Sequence, residues 1–291
     1  MKHSVKYFLW ILLAAVTTFG CSKEGESEVH KVFIEPKTIT DVNYGNDVAQ
    51  RMDIYLPAGR SQATTQVLLI IHGGGWFAGD KKDMNDFASK FQNQMSNYAV
   101  VNMNYRLVTF APVRYMLPPQ TDDIRSAMDY IGKNAAELGV KQEFVVLGLS
   151  AGGHLAMLYS YKYDTERRVK AAVNIVGPSN LNDSYYLNIE LYRWAMEHIT
   201  NPSNLPTNMT APVFGSPVTW VTKNAPPTIS FYGTNDEYIP PSQHSALEDT
   251  LNNYKIPNQK HIYEGGHIQA SYNQSDDIVA KTKQFVSTHV K

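Results

Sequence analysis

Apolar and polar positions along the chain form blocks with two different periods. Near-continuous apolar runs predict buried strands at 66–72, 98–107, 143–150 and 169–177. Similar, shorter patterns predict strands at 51–57, 228–236 and 260–266. Between these runs, apolar residues that recur every three or four positions predict helices at 120–138, 151–163, 241–255 and 276–290.

The alternation of strands and helices predicts the fold class. Strands that are apolar along their whole length are typical of a parallel sheet covered by helices on both faces. We therefore expect one α/β domain with a mostly parallel central sheet over 39–291. Residues 178–226 interrupt the alternation and are rich in Asn, Pro, Tyr and Thr. An insertion of this kind between two strands favours a small cap over a functional site.

The N-terminus has the pattern of an export signal. Lys2 and Lys6 precede the apolar run 7–16, and small and polar residues follow it. The run is too short to span a bilayer. We therefore expect residues 1–20 to be a signal peptide and residues 21–38 to be a polar tether.

Cys21 is the only cysteine of the chain, so it has no partner for an internal disulfide. Its position directly after Gly20 resembles the processing site of a bacterial lipoprotein, although Thr18 stands where leucine is typical. A lipid on Cys21 would anchor an exported protein to a membrane, in the periplasm or at the cell surface, without spanning the bilayer. The alternative is a secretory signal that contains a cysteine.

Charge narrows the choice of partners. The formal net charge of the 291 residues is −1, which provides no global field to attract nucleic acid. Nucleic acid is therefore not an expected partner, and the oligomeric state is left open. No H-E-x-x-H or similar metal-ligand motif is present, so we expect no bound metal. No cofactor is expected either.

A candidate nucleophile lies between a predicted strand and a predicted helix. Residues 148–152 read Gly-Leu-Ser-Ala-Gly, a G-x-S-x-G match that places Ser150 on a sharp strand-to-helix turn. Glycines two positions before and after the serine are needed because a Cβ there would clash with neighbouring elements. The helix that begins at Ala151 points its positive end at the site, which favours developing negative charge.

A serine nucleophile needs a base, and the base needs a carboxylate to orient it. Of the nine histidines, His267 lies just after a predicted strand, in a loop with two glycines. Asp236 lies just after another predicted strand, and its neighbour Glu237 is the nearest rival for the acid. We prefer Asp236, since the shorter side chain nearer the strand should be held more rigidly. The order Ser150, Asp236, His267 is the order of the α/β-hydrolase architecture.

Three glycines at 73–75 directly follow a predicted strand, and three anion-binding interpretations compete for them. A phosphate loop would need G-x-x-x-x-G-K-[ST], which is absent. A dinucleotide loop matches G-x-G-x-x-A formally, but it predicts a carboxylate at the end of the next strand, which is missing. The third interpretation is an oxyanion hole built from the N–H groups of Gly74 and Gly75 with that of Ala151.

Together, the segments "IIHGGGWFAGDK", "GLSAGGHLA", "YGTNDEYIP" and "GGH" resemble the α/β-hydrolase esterases of the hormone-sensitive-lipase and carboxylesterase type. The branch of bacterial carbohydrate acetyl and feruloyl esterases is the most similar, and the resemblance covers about 40–290. It implies Ser150, Asp236 and His267 as the catalytic triad and a serine esterase that acts through an acyl-enzyme. Removal of acetyl or feruloyl groups from plant polysaccharide is the activity it favours. An arylformamidase-like amide hydrolase, a general carboxylesterase and a catalytically silent glycan-binding lipoprotein are the alternatives.

Aromatic and charged residues near these motifs have two interpretations each. Trp76 follows the oxyanion glycines and is either a wall of the substrate pocket or a core residue. Trp194 and Trp220, in the insertion, form either a platform for sugar or aromatic acyl groups or part of the packing of the cap. Asp122 or Asp123 is expected to pair with Arg106 and brace the nearby loop.

Overall fold

A computed structural model of the chain describes residues 31–290. The strands are β1 (Val32–Phe33), β2 (Lys37–Asn43), β3 (Arg51–Leu56), β4 (Arg60–Ser61), β5 (Gln66–Ile71), β6 (Tyr98–Met103), β7 (Thr109–Phe110), β8 (Val113–Arg114), β9 (Phe144–Leu149), β10 (Val169–Ile175), β11 (Thr228–Gly233) and β12 (Asn258–Tyr263). The α-helices are α1 (Asn85–Gln94), α2 (Pro119–Lys133), α3 (Ala135–Leu138), α4 (Ala151–Leu158), α5 (Ser184–Leu187), α6 (Glu190–Glu197), α7 (Ala211–Gly215), α8 (Pro241–Asn253) and α9 (Ser275–His289). A π turn at Tyr159–Tyr163 extends α4, and 3₁₀ turns lie at Lys81–Met84, Pro202–Asn204, Pro217–Trp220 and Tyr272–Gln274.

A mostly parallel sheet forms the centre of the fold. Its strand order is β12-β11-β10-β9-β5-β6-β3-β2, and β3 runs antiparallel to both of its neighbours. The six strands β12, β11, β10, β9, β5 and β6, adjacent in this order in the sheet, are all parallel to one another. This confirms the predicted α/β fold class.

Strand β5 shows why the sheet is apolar on both faces. All six of its residues are buried. Val67 and Leu69 pack with residues of α2 and α4 on one face. Leu68 and Ile70 pack with residues of α1 and α9 on the other face. Because each fully buried aliphatic side chain contributes about 1.5–3 kcal/mol, a strand covered on both faces has to be apolar at every position.

The structure corrects the predicted tether over 21–38. Strand β1 pairs with β4, and β2 begins at Lys37 and pairs with β3, so residues 32–38 belong to the folded domain. Strand β2 was missed because it is a polar edge strand, "KTITDVN", with mostly exposed side chains. Helix α1 was missed as well, although Phe87 and Phe91, one turn apart, carry a helical period.

The segments proposed for export and anchoring lie outside the described residues. The structure does not describe residues 1–20 or Cys21, so the signal peptide and the lipid attachment stay predictions. Within residues 31–290, no helix has the length and apolar character that crossing a bilayer demands.

Candidate active site

Ser150 occupies the turn between β9 and α4 in a strained backbone conformation. Its φ of 55° and ψ of −119° lie in a region that side chains other than glycine rarely adopt. The backbone of Ser150 is held on both sides: its N–H donates to the carbonyl of Ile175 at 2.7 Å, and its carbonyl accepts from the N–H of His154 at 3.0 Å. Such a turn presents the hydroxyl at the end of the sheet, as the sequence motif predicts.

The glycines around Ser150 permit this turn. A Cβ at Gly148 would lie 2.0 Å from the carbonyl oxygen of Gly152. A Cβ at Gly152 would lie 2.3 Å from the carbonyl oxygen of Ile71 and 2.4 Å from that of His72. Since all of these obstacles are backbone atoms, no change of rotamer can make room for a larger residue.

The glycine loop after β5 lies directly against the serine. A Cβ at Gly73 would be 3.3 Å from the Cβ of Ser150. Gly74 and Gly75 have φ values of +103° and +59°, which favour glycine. The carbonyl of Gly74 accepts from the N–H of Ala78 at 2.9 Å and closes the loop.

The backbone amides of this loop and of the turn at Ser150 are available to a ligand. Among the hydrogen bonds of residues 31–290, none uses the backbone N–H of Gly74, Gly75 or Ala151 as a donor. Ala151 begins α4, and the first N–H groups of a helix have no partner inside it. Unused, fixed donors beside a nucleophile are what an oxyanion hole requires.

Asp236 and His267 form a hydrogen-bonded pair after the neighbouring strands β11 and β12. Nδ1 of His267 donates to Oδ2 of Asp236 at 2.7 Å, and both residues are buried. The other carboxylate oxygen accepts from the N–H groups of Tyr238 at 2.9 Å and Ile239 at 3.0 Å. Because Nδ1 carries the proton, Nε2 is the nitrogen left to act as a base.

All three predicted triad residues follow the carboxyl ends of parallel strands and therefore lie at the same edge of the sheet. Within residues 31–290, no hydrogen bond joins the Oγ of Ser150 to His267. In hydrolases the serine and histidine often approach hydrogen-bonding distance only when substrate binds. Glu237 is exposed, and its carboxylate accepts a hydrogen bond from the backbone N–H of His267 at 3.4 Å. The structure thus pairs the imidazole with Asp236 and not with the rival.

Trp76 connects the glycine loop to α4. Its indole N–H donates to Nδ1 of His154 at 3.2 Å, and its ring packs against the core on the α2 and α4 face. These contacts support the core interpretation of Trp76, whereas its predicted contact with substrate stays a prediction. His154 links this loop to the insertion, because its other ring nitrogen hydrogen-bonds to the carbonyl of Gly215. The sequence does not predict this link, since the two partners lie 78 and 61 positions from His154.

Trp220 is engaged by other protein groups. Its indole N–H donates to the carbonyl of Phe214 at 2.8 Å. The ammonium nitrogen of Lys162 lies 2.9 Å from the centre of its ring, and burial lowers the pKa of Lys162 to about 8. One face of the indole is therefore covered, as expected of a packing residue. The predicted substrate contact of Trp220 stays a prediction.

An ion pair braces the segment after β6, as the sequence predicts. Nε and Nη2 of Arg106 donate to Oδ1 of Asp123 at 2.9 and 2.6 Å, so the structure selects Asp123 over Asp122. The hydrogen bonds to Asp123 raise the pKa of Arg106. Gln50 also donates to this carboxylate, at 2.7 Å. Within residues 31–290 no cluster of three or more His, Cys, Asp or Glu residues suited to a metal ion is present.

The insertion over 178–226 contacts the loop that carries the candidate acid. The hydroxyl of Tyr185 donates to the carbonyl of Glu237 at 2.8 Å, and that of Tyr186 donates to the carbonyl of Tyr238 at 3.0 Å. The insertion therefore lies beside the loop of the candidate acid, and its role as a cap stays a prediction.

The parallel sheet, the strained serine and the carboxylate–histidine pair at one sheet edge define an α/β-hydrolase. A family model described as BD-FAE matches residues 52–251, more than half of the chain, and the chain belongs to this family.

Several relatives of the chain in sequence are esterases, in agreement with an α/β-hydrolase. Esterase LipC of Mycobacterium tuberculosis is 25% identical over 222 residues, which cover 72% of this chain and 54% of LipC. The chain spans about half the length of the curated relatives that it matches first.

Solved structures show the same fold. A truncated carbohydrate esterase from gut microbiota has a TM-score of 0.71 and 20% identity, covering 88% of this chain and 97% of that one. Esterase B of Lactobacillus rhamnosis, in a structure with a tributyrin phosphonate, has a TM-score of 0.69 and 20% identity, covering 89% and 88%. These similarities extend over nearly all of the described domain.

Proposed function

We propose that the protein is a serine carboxylic-ester hydrolase that acts through an acyl-enzyme. The observation that carries this proposal is the 2.7 Å hydrogen bond between His267 and Asp236 at the sheet edge where the strained Ser150 lies. A carboxylate that orients an imidazole, beside a serine and unused backbone amides, supplies the parts that acyl transfer needs.

In the proposed reaction, Oγ of Ser150 attacks the ester carbonyl carbon while Nε2 of His267 accepts the hydroxyl proton. The amides of Gly74, Gly75 and Ala151 donate to the oxyanion that forms. Collapse of this intermediate expels the alcohol, which takes the proton from His267, and leaves the acyl group on Ser150. Water, deprotonated by His267, then attacks the acyl-enzyme carbonyl carbon. The bond to Ser150 breaks, His267 returns the proton to Oγ, and the carboxylic acid is released. Asp236 keeps the imidazole in one tautomer and stabilises its charged form.

For the substrate, we propose acetyl or feruloyl esters of carbohydrate, including plant polysaccharide. Membership of the BD-FAE family and the fold shared with a carbohydrate esterase from gut microbiota support this choice. The sequence resemblance to carbohydrate acetyl and feruloyl esterases points the same way.

Purified mature protein and its Ser150→Ala variant test the proposal. Both are assayed on p-nitrophenyl acetate, acetylated xylan, methyl ferulate and N-formylkynurenine. We expect hydrolysis that depends on Ser150, with carbohydrate acetyl or feruloyl esters preferred. Preference for the formyl amide would indicate an arylformamidase, and equal rates on all esters a general carboxylesterase. If no substrate is hydrolysed in a Ser150-dependent way, the esterase proposal is wrong and a silent glycan-binding lipoprotein is favoured.

We also propose that the protein is exported and anchored to a membrane by a lipid on Cys21. The order of charged, apolar and small residues before Cys21 supports this proposal. Mass spectrometry of protein extracted from membranes should find an acylated N-terminal cysteine. A free thiol at Cys21 would contradict it.

A further inference from the structure

Three exposed aromatic side chains lie in a row that begins beside the candidate active site. Phe77, Phe110 and Trp194 are 57%, 48% and 45% exposed. The ring centres are 6.1 Å apart between Phe77 and Phe110 and 5.5 Å apart between Phe110 and Trp194. We call these residues the aromatic row. Single exposed apolar residues are ordinary on protein surfaces, whereas contiguous exposed apolar side chains are a feature of interaction sites.

The row is built from separate segments that are joined by backbone hydrogen bonds. Phe77 belongs to the glycine loop, Phe110 to the hairpin of β7 and β8, and Trp194 to α6 of the insertion. The N–H of Val108 donates to the carbonyl of Trp76 at 2.9 Å, which ties the hairpin to the loop.

The hairpin is tied to the insertion in the same way. The N–H of Leu117 donates to the carbonyl of Ile199 at 2.8 Å, and the carbonyl of Leu117 accepts from the N–H of Asn201 at 3.2 Å. The backbone that carries the exposed rings is therefore anchored on both sides of the hairpin, which lowers the cost of ordering it when a ligand binds.

One end of the aromatic row lies at the glycine loop. A Cβ at Gly75, a candidate oxyanion donor, would be 2.8 Å from Cε1 of Phe77. An extended molecule that lies along the row therefore has one end within reach of the ester-cleaving groups. Its other end passes Phe110 and reaches Trp194 in the insertion.

We propose that the aromatic row binds the sugar chain of a polymeric ester substrate, on the leaving-alcohol side of the reaction. This inference rests on the proposed function. A pyranose ring has apolar C–H faces that stack on aromatic rings, while its hydroxyl groups stay in water, so half-exposed rings suit it. A fatty acyl chain would need an enclosed apolar groove, since its whole surface has to leave water.

The charges beside Trp194 argue against a membrane surface as the occupant. Helix α6 carries Glu190 and Glu197 as well as Arg193. The hairpin adds the exposed Arg114, so basic side chains are not in excess here. An apolar surface that inserts into anionic lipid is instead flanked by an excess of Lys and Arg. A neutral sugar chain has no such requirement.

The variants Phe110→Ala and Trp194→Ala test the row, with Tyr254→Ala as a matched control. Tyr254 is 47% exposed and lies at the end of α8, outside the row. For each variant, kcat/KM is measured on acetylated xylan and on p-nitrophenyl acetate. We expect the ratio of the two values to fall about tenfold in each row variant, because a stacked ring contributes to binding only the polymer. The control should leave the ratio as it is in the wild type.

Binding is measured separately so that the row and the reaction are tested independently. Xylohexaose is titrated into Ser150→Ala protein by calorimetry, and into Ser150→Ala protein that also carries Phe110→Ala. Binding that is lost with Phe110 supports the row even if no ester is hydrolysed, in which case only the proposed function fails. Thermal melts of each variant show whether it is folded.

Several outcomes would overturn the proposal. An unchanged ratio in folded row variants, together with hexaose binding that does not depend on Phe110, would exclude a sugar site. A larger loss on methyl ferulate than on acetylated xylan would make the row a contact for the acyl group. Row-dependent binding to phosphatidylglycerol vesicles would make it a membrane surface.

Discussion

The indole N–H of Trp76 donates to Nδ1 of His154 at 3.2 Å, and Nε2 of the same imidazole donates to the carbonyl of Gly215 at 2.7 Å. An indole N–H can only donate, so Nδ1 accepts and the proton lies on Nε2. The buried, neutral His154 therefore joins the glycine loop, the helix after Ser150 and the insertion. A substitution there should affect all three segments.

Replacement of His154 by phenylalanine is expected to destabilise the fold. The indole N–H of Trp76 and the carbonyl of Gly215 would lose their partner in a buried site, at a cost of about 1–3 kcal/mol each. Urea unfolding should show a free energy of unfolding lower by about 3 kcal/mol. His198→Phe is the control, since His198 is exposed and its imidazole hydrogen-bonds to the carbonyl of Trp194 in its own helix turn. Equal effects of the two substitutions would contradict the assignment.

Stability should also depend on pH through His154. Burial lowers its pKa from 6.5 to about 4. Between these values the unfolded chain holds a proton that the folded chain does not, so the free energy of unfolding decreases as the pH falls from 6.5 towards 4. The pKa difference corresponds to about 3 kcal/mol. Unfolding measured at both ends of this range should show a smaller loss in His154→Phe than in the wild type.

Gly152→Ala should damage catalysis more than an ordinary glycine substitution does. Its Cβ would lie 2.3 Å from the carbonyl of Ile71, so helix α4 and the glycine loop have to separate. A displacement of this kind near reacting groups costs about 10²-fold in kcat. Gly132→Ala, in α2, is the control because its Cβ would meet only the flexible side chain of Gln142, at 3.1 Å. Its kcat should match the wild type, which steady-state kinetics on p-nitrophenyl acetate can check.

Asp236→Asn should lower kcat by about 10⁴-fold, because an asparagine amide can hold the imidazole in the wrong tautomer. Glu237→Gln should change kcat much less, since Glu237 is exposed and its carboxylate accepts a long, 3.4 Å hydrogen bond from the backbone N–H of His267 and not from its imidazole. Both variants keep the size of the side chain. A greater loss from Glu237→Gln would identify the neighbouring carboxylate as the acid.

Arg106→Leu should strongly destabilise the protein. Asp123 is fully buried, and loss of the guanidinium leaves its carboxylate without a counter-charge, at a cost of about 3–5 kcal/mol. The partly exposed pair of Lys141 and Glu143 offers a comparison, and Lys141→Leu should cost less than about 1 kcal/mol. Denaturant unfolding of the two variants under the same conditions measures the difference.

Features that depend on local backbone and side-chain pattern can be predicted from the amino-acid sequence alone. Strands such as β5 and β9, buried on both faces, must be apolar throughout, so their runs are visible without a structure. The glycines at 148 and 152 likewise predict the turn at Ser150, because nearby backbone atoms leave no space for a Cβ at these two positions.

The choice between chemically equivalent neighbours depends on tertiary contacts, which local sequence does not show. Asp236 and Glu237 are both carboxylates, as are Asp122 and Asp123, and what separates them is which side chain faces a partner brought in from a distant segment. The polar edge strand β2 shows the same limit, since its hydrogen bonds come from β3 and not from its own pattern. The link through His154 and the aromatic row join residues far apart in the sequence. Their contacts exist only after the sheet has packed, because long-range burial and hydrogen bonding, and not local periodicity, create them.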